Sequence, residues 1–425
     1  MTSPELRGQL RQWYPLGLVF LAIGLSSSLA YPFVTLFLTS AVHADPVRVT
    51  VYLVTFPVTG MVFTQVIGRM SDRRPMRRQL LIIASIAGMV AMALTAFLRN
   101  YWVLLAIVAT LGAISGSMMS QGFAYARSVV AGSDRAAMIT SSLRMLFSLA
   151  WVGGPPLAAL LQNVGGFTAL YATAAGMYAV AGIVTVTRLK EPTATDQAPG
   201  TNAGNPGEAV EQAPDGARAS RPIRANASPR TIVCVVAAFI MLQGAGTVGV
   251  QMLPLFLKAD LHSGVGQAGL ILGLCAGLEI PLMLMFGALT ARVPVRRLIM
   301  IGTLFSVAYV VLASAATHSW MLFVGQLLNA TSIAAIQGLG VSHVQDLMPN
   351  DPGKASALYG NSFAAGTIMA GPLIAVAETL GYRSVYLIIA GICLLGLALI
   401  AVSGPLRRSG TVEGRPAAEP ATAQV

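Results

Sequence analysis

Gly68-Arg69-Met70-Ser71-Asp72-Arg73-Arg74-Pro75-Met76-Arg77-Arg78 and Gly287-Ala288-Leu289-Thr290-Ala291-Arg292-Val293-Pro294-Val295-Arg296-Arg297 are one short loop written twice. Both ends of the match, Gly68 with Gly287 and Arg78 with Arg297, lie 219 positions apart. Each copy closes one apolar run and opens the next with paired arginines. Further on, Gly154-Pro155 recurs as Gly371-Pro372, and Gly166 to Tyr171 resembles Gly381 to Tyr386. The chain is therefore a duplicated unit, and what surrounds the loop says in which solvent the unit sits.

That solvent is lipid. Of 425 residues, 55% are hydrophobic and only 10% charged, with mean hydropathy +0.71. Soluble domains carry roughly a quarter charged residues. A bilayer core needs about 20 consecutive apolar residues per helix. Such runs fall at 16–39, 49–68, 79–98, 102–126, 137–161, 167–187, 231–257, 266–289, 298–316, 319–343, 353–378 and 382–403. Twelve helices in two halves of six follow, 1–190 and 230–403. Arg7 and Arg11 precede an apolar run containing Ser28-Leu29-Ala30, a pattern shared with cleaved leaders, but the run continues to Leu38 and reads as an uncleaved first helix.

The net charge of +11 would suggest nucleic acid in a soluble chain. Here the basic residues lie between apolar runs and act as topology signals. Of 27 Lys and Arg, 22 fall in the two tails, the central segment and alternate loops; Arg48, Arg99, Lys258 and Arg383 fall in the other loops, and Arg144 lies within the fifth run. The positive-inside rule then puts both termini in the cytoplasm, with nucleic acid excluded as a partner. The stretch 191–229, with six prolines and four glycines, reads as a disordered cytoplasmic linker, and 404–425 as a similar tail. Cys234, Cys275 and Cys393 all sit in apolar runs and read as small buried hydrophobes without metal or disulfide spacing.

Two six-helix units related by a parallel repeat resemble the major facilitator architecture, in which a substrate binds between the halves. The amides fit that resemblance. Gln121 lies in the fourth run, Gln243 and Gln251 in the seventh, and Gln326, Asn329 and Gln337 in the tenth, whereas the third, sixth, ninth and twelfth runs hold none away from their ends. In the major facilitator fold, helices 1, 4, 7 and 10 line the cavity. Helix 1 adds Ser26, Ser27, Ser28, Tyr31 and Thr35, and helix 11 adds Asn361. Amides in lipid are costly unless they face a cavity or a partner, so they either line a site for a polar, uncharged solute or tie helices together.

Two charges stand inside the membrane segments. Arg144 is about seven residues into helix 5 and Glu279 about nine into helix 8 from the same side, roughly 10–14 Å deep at 1.5 Å per residue. Since helices 5 and 8 meet between the halves of the major facilitator fold, the expectation is that Arg144 and Glu279 approach each other and couple transport to protons; a static clamp is the alternative. The loop holding Asp72 and Arg73 is similar to the superfamily's signature between helices 2 and 3, an anionic latch at a helix N-terminus; Ala291 stands at the second-half position. Gly153-Gly154-Pro155-Pro156 partly resembles the superfamily's antiporter motif and marks a kink with close helix approach, so Asp72, Arg73, Gly154 and Pro155 are expected to gate. Trp151, one turn before, offers a flat face for a sugar ring.

Ser141-Ser142-Leu143-Arg144, Ser148-Leu149-Ala150-Trp151-Val152-Gly153-Gly154-Pro155-Pro156, Gly277-Leu278-Glu279-Ile280-Pro281 and Gln345-Asp346-Leu347-Met348-Pro349 resemble the bacterial sugar efflux transporter family. The resemblance covers nearly the whole chain outside the linker and tails. It implies a monomeric inner-membrane exporter of lactose, glucose and related glycosides by proton antiport. The expected substrate ligands are Tyr31, Gln121, Trp151, Gln243, Gln251, Gln326, Asn329, Gln337 and Asn361, with Glu279 and Arg144 for proton coupling. A multidrug antiporter, a sugar importer and a non-transporting sensor of the same fold remain open. No phosphate-binding loop of the Gly-x-x-x-x-Gly-Lys-Ser/Thr type and no metal or nucleophile constellation occurs, so no enzyme, cofactor or metal is expected.

Overall fold

The computed structural model describes residues 4–73, 76–130, 136–191 and 226–403, and these are helical apart from turns and short connections. Most of the expected linker, 192–225, and the whole tail, 404–425, lie outside the described residues. Among the described residues, eleven helices are long and apolar enough to cross a membrane. The longest, Ala136–Arg188, contains two crossings, because the backbone leaves helical geometry at Gly165 (φ −137°) and Gly166 (φ 62°, ψ −159°). Only glycine adopts the Gly166 conformation readily, so the sequence itself turns the chain here.

With that break the crossings are α1 (Tyr14–Ser40), α2 (Pro46–Ser71), α3 (Arg77–Phe97), α4 (Tyr101–Ala126), α5 (136–164), α6 (167–188), α7 (Pro229–Ala259), α8 (Val265–Leu289), α9 (Val295–Ala315), α10 (Ser319–Leu347), α11 (Pro352–Leu380) and α12 (Tyr382–Val402). Helix starts carry legible caps. Asn100 accepts from the backbone amides of Trp102 and Val103 at the head of α4, and Ser228 caps α7 with Pro229 as its first helical residue. Helix α1 tightens into a 3-10 turn at Tyr31–Phe33, where Pro32 lacks an amide donor.

The duplication is visible in packing as well as in sequence. Helices α1 and α7 both end in a residue of left-handed conformation, His43 (φ 55°) and His262 (φ 47°), again 219 positions apart. The amides of Ala44 and Ser263, one residue on, reach back to the carbonyls of Leu38 and Leu257 at 2.9 and 2.8 Å, the six-to-one bond of a Schellman cap. One turn before each cap an aromatic pair packs edge to face: Phe37 with Tyr171 at 4.9 Å, and Phe256 with Tyr386 at 5.1 Å. At the other end, Arg78 donates to the Val186 carbonyl at 2.8 Å and Arg296 to the Ala401 carbonyl at 2.7 Å, closing the last turns of α6 and α12. Guanidinium groups belong there because those carbonyls lack intrahelical donors and carry the negative end of the dipole. The end of the bundle that holds these arginines is called the basic end here, and the opposite one the far end.

Helices α1–α6 pack among themselves, as do α7–α12, and the two groups meet where α5 lies on α8, α2 on α11 and α1 on α7. The α5–α8 seam is backbone against backbone. A Cβ on Gly273 would come within 2.7 Å of the Val152 carbonyl oxygen and 2.6 Å of Pro156, and one on Gly269 would strike the Pro155 carbonyl. Residues 269, 273 and 277 are glycines four apart, a small-residue stripe that the sequence carries openly and that the reading above did not use. Val152 is the carbonyl that Pro156 cannot serve, so Gly273 packs where the helix has a spare acceptor. At Gly277 the gap has widened to 3.8 Å from Val152.

This gradient predicts unequal costs along one stripe. Gly273→Ala should destabilise the folded protein by about 1–3 kcal/mol through overpacking. Gly277→Ala should stay within about 0.5 kcal/mol of the parent. Denaturation of both variants in one detergent checks the ranking, and equal stabilities would contradict the seam described.

Candidate substrate and coupling site

The break in α1 aims Tyr31 and Thr35 at the junction of the two groups. The Thr35 hydroxyl donates to Gln251 Oε1 on α7 at 3.2 Å, a buried bond from one group to the other. The Tyr31 hydroxyl is buried beside Thr247, Gln251 and Thr367 without a well-aligned hydrogen bond to any of them. Its ring meets Trp151 of α5 edge-on at 6.2 Å, and Trp151 is half-buried. Four elements, α1, α5, α7 and α11, thus converge on a patch of hydroxyls, amides and aromatic rings without a charge. A buried hydroxyl lacking a partner is costly, so this patch is poised for a ligand that supplies one.

The other amides divide by what they already hold. Gln243 donates to Ser362 Oγ at 2.7 Å and ties α7 to α11. Gln326 is fully buried and donates to the Tyr309 hydroxyl and the Leu322 carbonyl, both at 3.1 Å, which ties α10 to α9. Both amides thus fasten helices within the second group, and Gln326 has both of its amide hydrogens engaged there. Ser26 and Ser28 are likewise buried and donate to the carbonyls of Ala174 and Ala150 at 3.0 Å. Gln121 is buried with its Oε1 unpartnered, whereas Asn329, Gln337 and Asn361 are half-buried.

Arg144 and Glu279 do not form the expected pair. Glu279 Oε1 instead accepts from Cys275 Sγ on its own helix at 3.5 Å. The guanidinium of Arg144 acts electrostatically on Tyr359 of α11 and joins no ion pair or hydrogen bond among the described residues. Register explains the miss. Helices α5 and α8 run antiparallel, with Asn163 by Gly266, Pro156 by Gly273 and Val152 by Gly277. Carried onward, that register sets Glu279 level with Ala150 and Arg144 level with Met285, about six residues or ~9 Å apart along the axis. The helices also part there, since Met145 and Met285 are both exposed. Counting depth from the loops put the two charges at one level; the offset of the seam did not enter that count.

Cysteine 275 departs from its expected role as an inert hydrophobe. Asn329 Nδ2 donates to Cys275 Sγ at 3.4 Å and to Gln326 Oε1 at 3.0 Å, so a hydrogen-bonded chain runs from Tyr309 on α9 through α10 to Glu279 on α8. Gly154 lies against Ser28 within the first group, and Pro155 abuts Gly269 across the seam. Asp72 and Arg73 end the helical segment Pro46–Arg73, and their side chains lie outside the described residues.

Comparison with known proteins agrees with this geometry. The family model for the Major Facilitator Superfamily matches residues 16–256 and 233–424. A putative sugar efflux transporter of Deinococcus radiodurans is 33% identical over 396 residues, covering 92% of this chain and 98% of that protein. Sugar efflux transporter B of Salmonella typhimurium is 33% identical over 366 residues, 85% of this chain and 88% of its own length. Among solved structures, a nucleoside transporter superposes with a TM-score of 0.74 at 12% identity, covering 92% of this chain and 98% of that one, a likeness of fold alone. The chain belongs to the major facilitator superfamily and, within it, to the sugar efflux transporters.

Proposed function

We propose that this protein exports sugars or glycosides across a bacterial inner membrane in exchange for protons, with α1–α6 and α7–α12 rocking about the site between them. The observation that carries the sugar reading is the uncharged patch at Tyr31, Trp151, Thr247, Gln251 and Thr367. A sugar presents hydroxyls that pair with amides and phenols, and C–H faces that lie on an aromatic ring, so it satisfies the Tyr31 hydroxyl without leaving a charge buried. The names carried by the relatives support the same class of solute. The distribution of Lys and Arg supports a cytoplasmic basic end.

Packing across the groups supports the rocking part of the reading. The α5–α8 seam tightens from Gly277 toward Gly269, and Thr35–Gln251 and the contact of Gly371 with Thr50 join the groups nearer the far end. Opening that end to release solute must break these contacts, and glycine-on-carbonyl contacts part with little side-chain rearrangement. Glu279 is the proton-bearing group in this reading, being the carboxyl that lies beside the point where the helices part; Arg144 lies about six residues further along the seam. One chain contains both groups, so a monomer is a complete transporter.

Uptake of labelled lactose and glycosides into everted membrane vesicles tests this directly. The expected outcome is accumulation that needs an imposed proton gradient and collapses with a protonophore. A folded protein that moves no sugar would overturn the assignment of solute while leaving the family intact. Glu279→Gln keeps the shape of the side chain but cannot ionise. It should abolish uphill accumulation and leave downhill exchange partly intact; a variant that still concentrates sugar would remove Glu279 from the coupling step.

A further inference from the structure

Asn329 has an unusual position among the groups already described. Both hydrogens of its Nδ2 are used, one on Cys275 Sγ and one on Gln326 Oε1. Its carbonyl oxygen accepts nothing among the described residues, and the residue is only half-buried. Gln326, its neighbour one turn earlier, is sealed off. Asn329 is thus half-buried with an acceptor to offer, as Glu279 is half-buried at the other end of the chain. On the other side of Asn329, every donor points the same way. Asn329 donates to Cys275, and Cys275 donates to Glu279, which ends the chain as an acceptor.

Nothing else competes for that carboxyl. Glu279 bonds only to Cys275 among the described residues. Helix α8 packs against α5, α7 and α10. Their charged or titratable groups with described side chains are Arg144 on α5, Arg230, Cys234 and Lys258 on α7, and His343 and Asp346 on α10, and none of these bonds to Glu279.

We propose that Asn329 and Cys275 are positioning residues that set sugar binding and proton binding at Glu279 against each other. A sugar hydroxyl donating to the Asn329 carbonyl polarises the amide, which strengthens its N–H donation to Cys275. The thiol in turn becomes a stronger donor to Glu279 Oε1. Hydrogen bonds in such a chain reinforce one another, by perhaps 10–30% per bond on order-of-magnitude grounds. A donor aimed at a carboxyl group favours its ionised form, so the O–H bond of a protonated Glu279 breaks and the proton passes to water. The thiol keeps its own hydrogen throughout. Reciprocity requires the converse: a proton on Glu279 weakens the pull on Asn329 and lowers affinity for sugar. This is the sign that exchange of sugar for protons needs, and the opposite of what cotransport needs. The inference rests on the reading of Glu279 as the proton-bearing group.

The test uses the purified full-length protein in weakly buffered detergent solution. Lactose is added, released protons are followed with an indicator dye, and bound lactose is measured separately with labelled sugar. The parent protein should release protons as it binds lactose. Cys275→Ser, whose hydroxyl can take over the thiol's donor role, should keep that release. Cys275→Ala and Asn329→Ala should release about twofold fewer protons per bound sugar, the size that a 10–30% reinforcement per bond supports. Should Cys275→Ala fold poorly, Cys275→Val deletes the donor while filling the volume. Undiminished release from these variants overturns the inference and leaves proton exchange standing. Lactose binding without release in the parent overturns the proton reading of Glu279, and this inference with it.

Discussion

Proline at 155 and 156 leaves the carbonyls of Trp151 and Val152 without the amide donor that an unbroken helix supplies four residues later. In lipid no water can compensate, so the helix that faces this stretch must come close. Helix α8 does so by presenting Gly269, Gly273 and Gly277, and the two groups of helices meet backbone to backbone. The rest of the junction follows from that contact. It fixes the register of α5 on α8 and leaves Glu279 just beyond the point where the helices separate. A seam held by glycines against carbonyls is tight but shallow, with few interlocked side chains to prise apart.

The duplication supplies scaffold on both sides and chemistry on one. Helix ends, turn histidines, aromatic pairs and capping arginines recur in each group with nearly constant spacing. The polar groups do not. Glu279, Cys275 and Asn329 belong to α8 and α10, and the paired positions of the first group carry no carboxyl. Tyr31 and Trp151 come from α1 and α5. Devices that close helices must satisfy the same backbone atoms in each copy, so they are retained as pairs. A single site between the copies needs each ligand once, and the two faces are free to diverge.

Much of this was legible without coordinates. Hydropathy marked every crossing, including the pair that runs on through Gly165 and Gly166, because burial in lipid selects residue types locally. The loop repeat and the amide count pointed to the architecture and to the helices that matter. Tyr31, Trp151 and Gln251 were named from sequence and do converge. Gln243 and Gln326 were named with equal reason and tie neighbouring helices together, since an amide in lipid satisfies itself equally well on a neighbouring helix or on a ligand. The glycine stripe of α8 was in plain view and went unused; a four-residue spacing of glycines on one face would have indicated the seam.

What the sequence by itself determined is the number and approximate limits of the crossings, the twofold repeat, and membership of the family. These depend on the chemistry of single residues in lipid and on short-range spacing. Only the tertiary structure decided which polar groups face each other. One residue of helical rotation swings a side chain by about 100°, and sliding one helix on another by six residues moves it ~9 Å, so partners across a seam depend on register. That register separated Arg144 from Glu279 and joined Glu279, through Cys275, to Asn329.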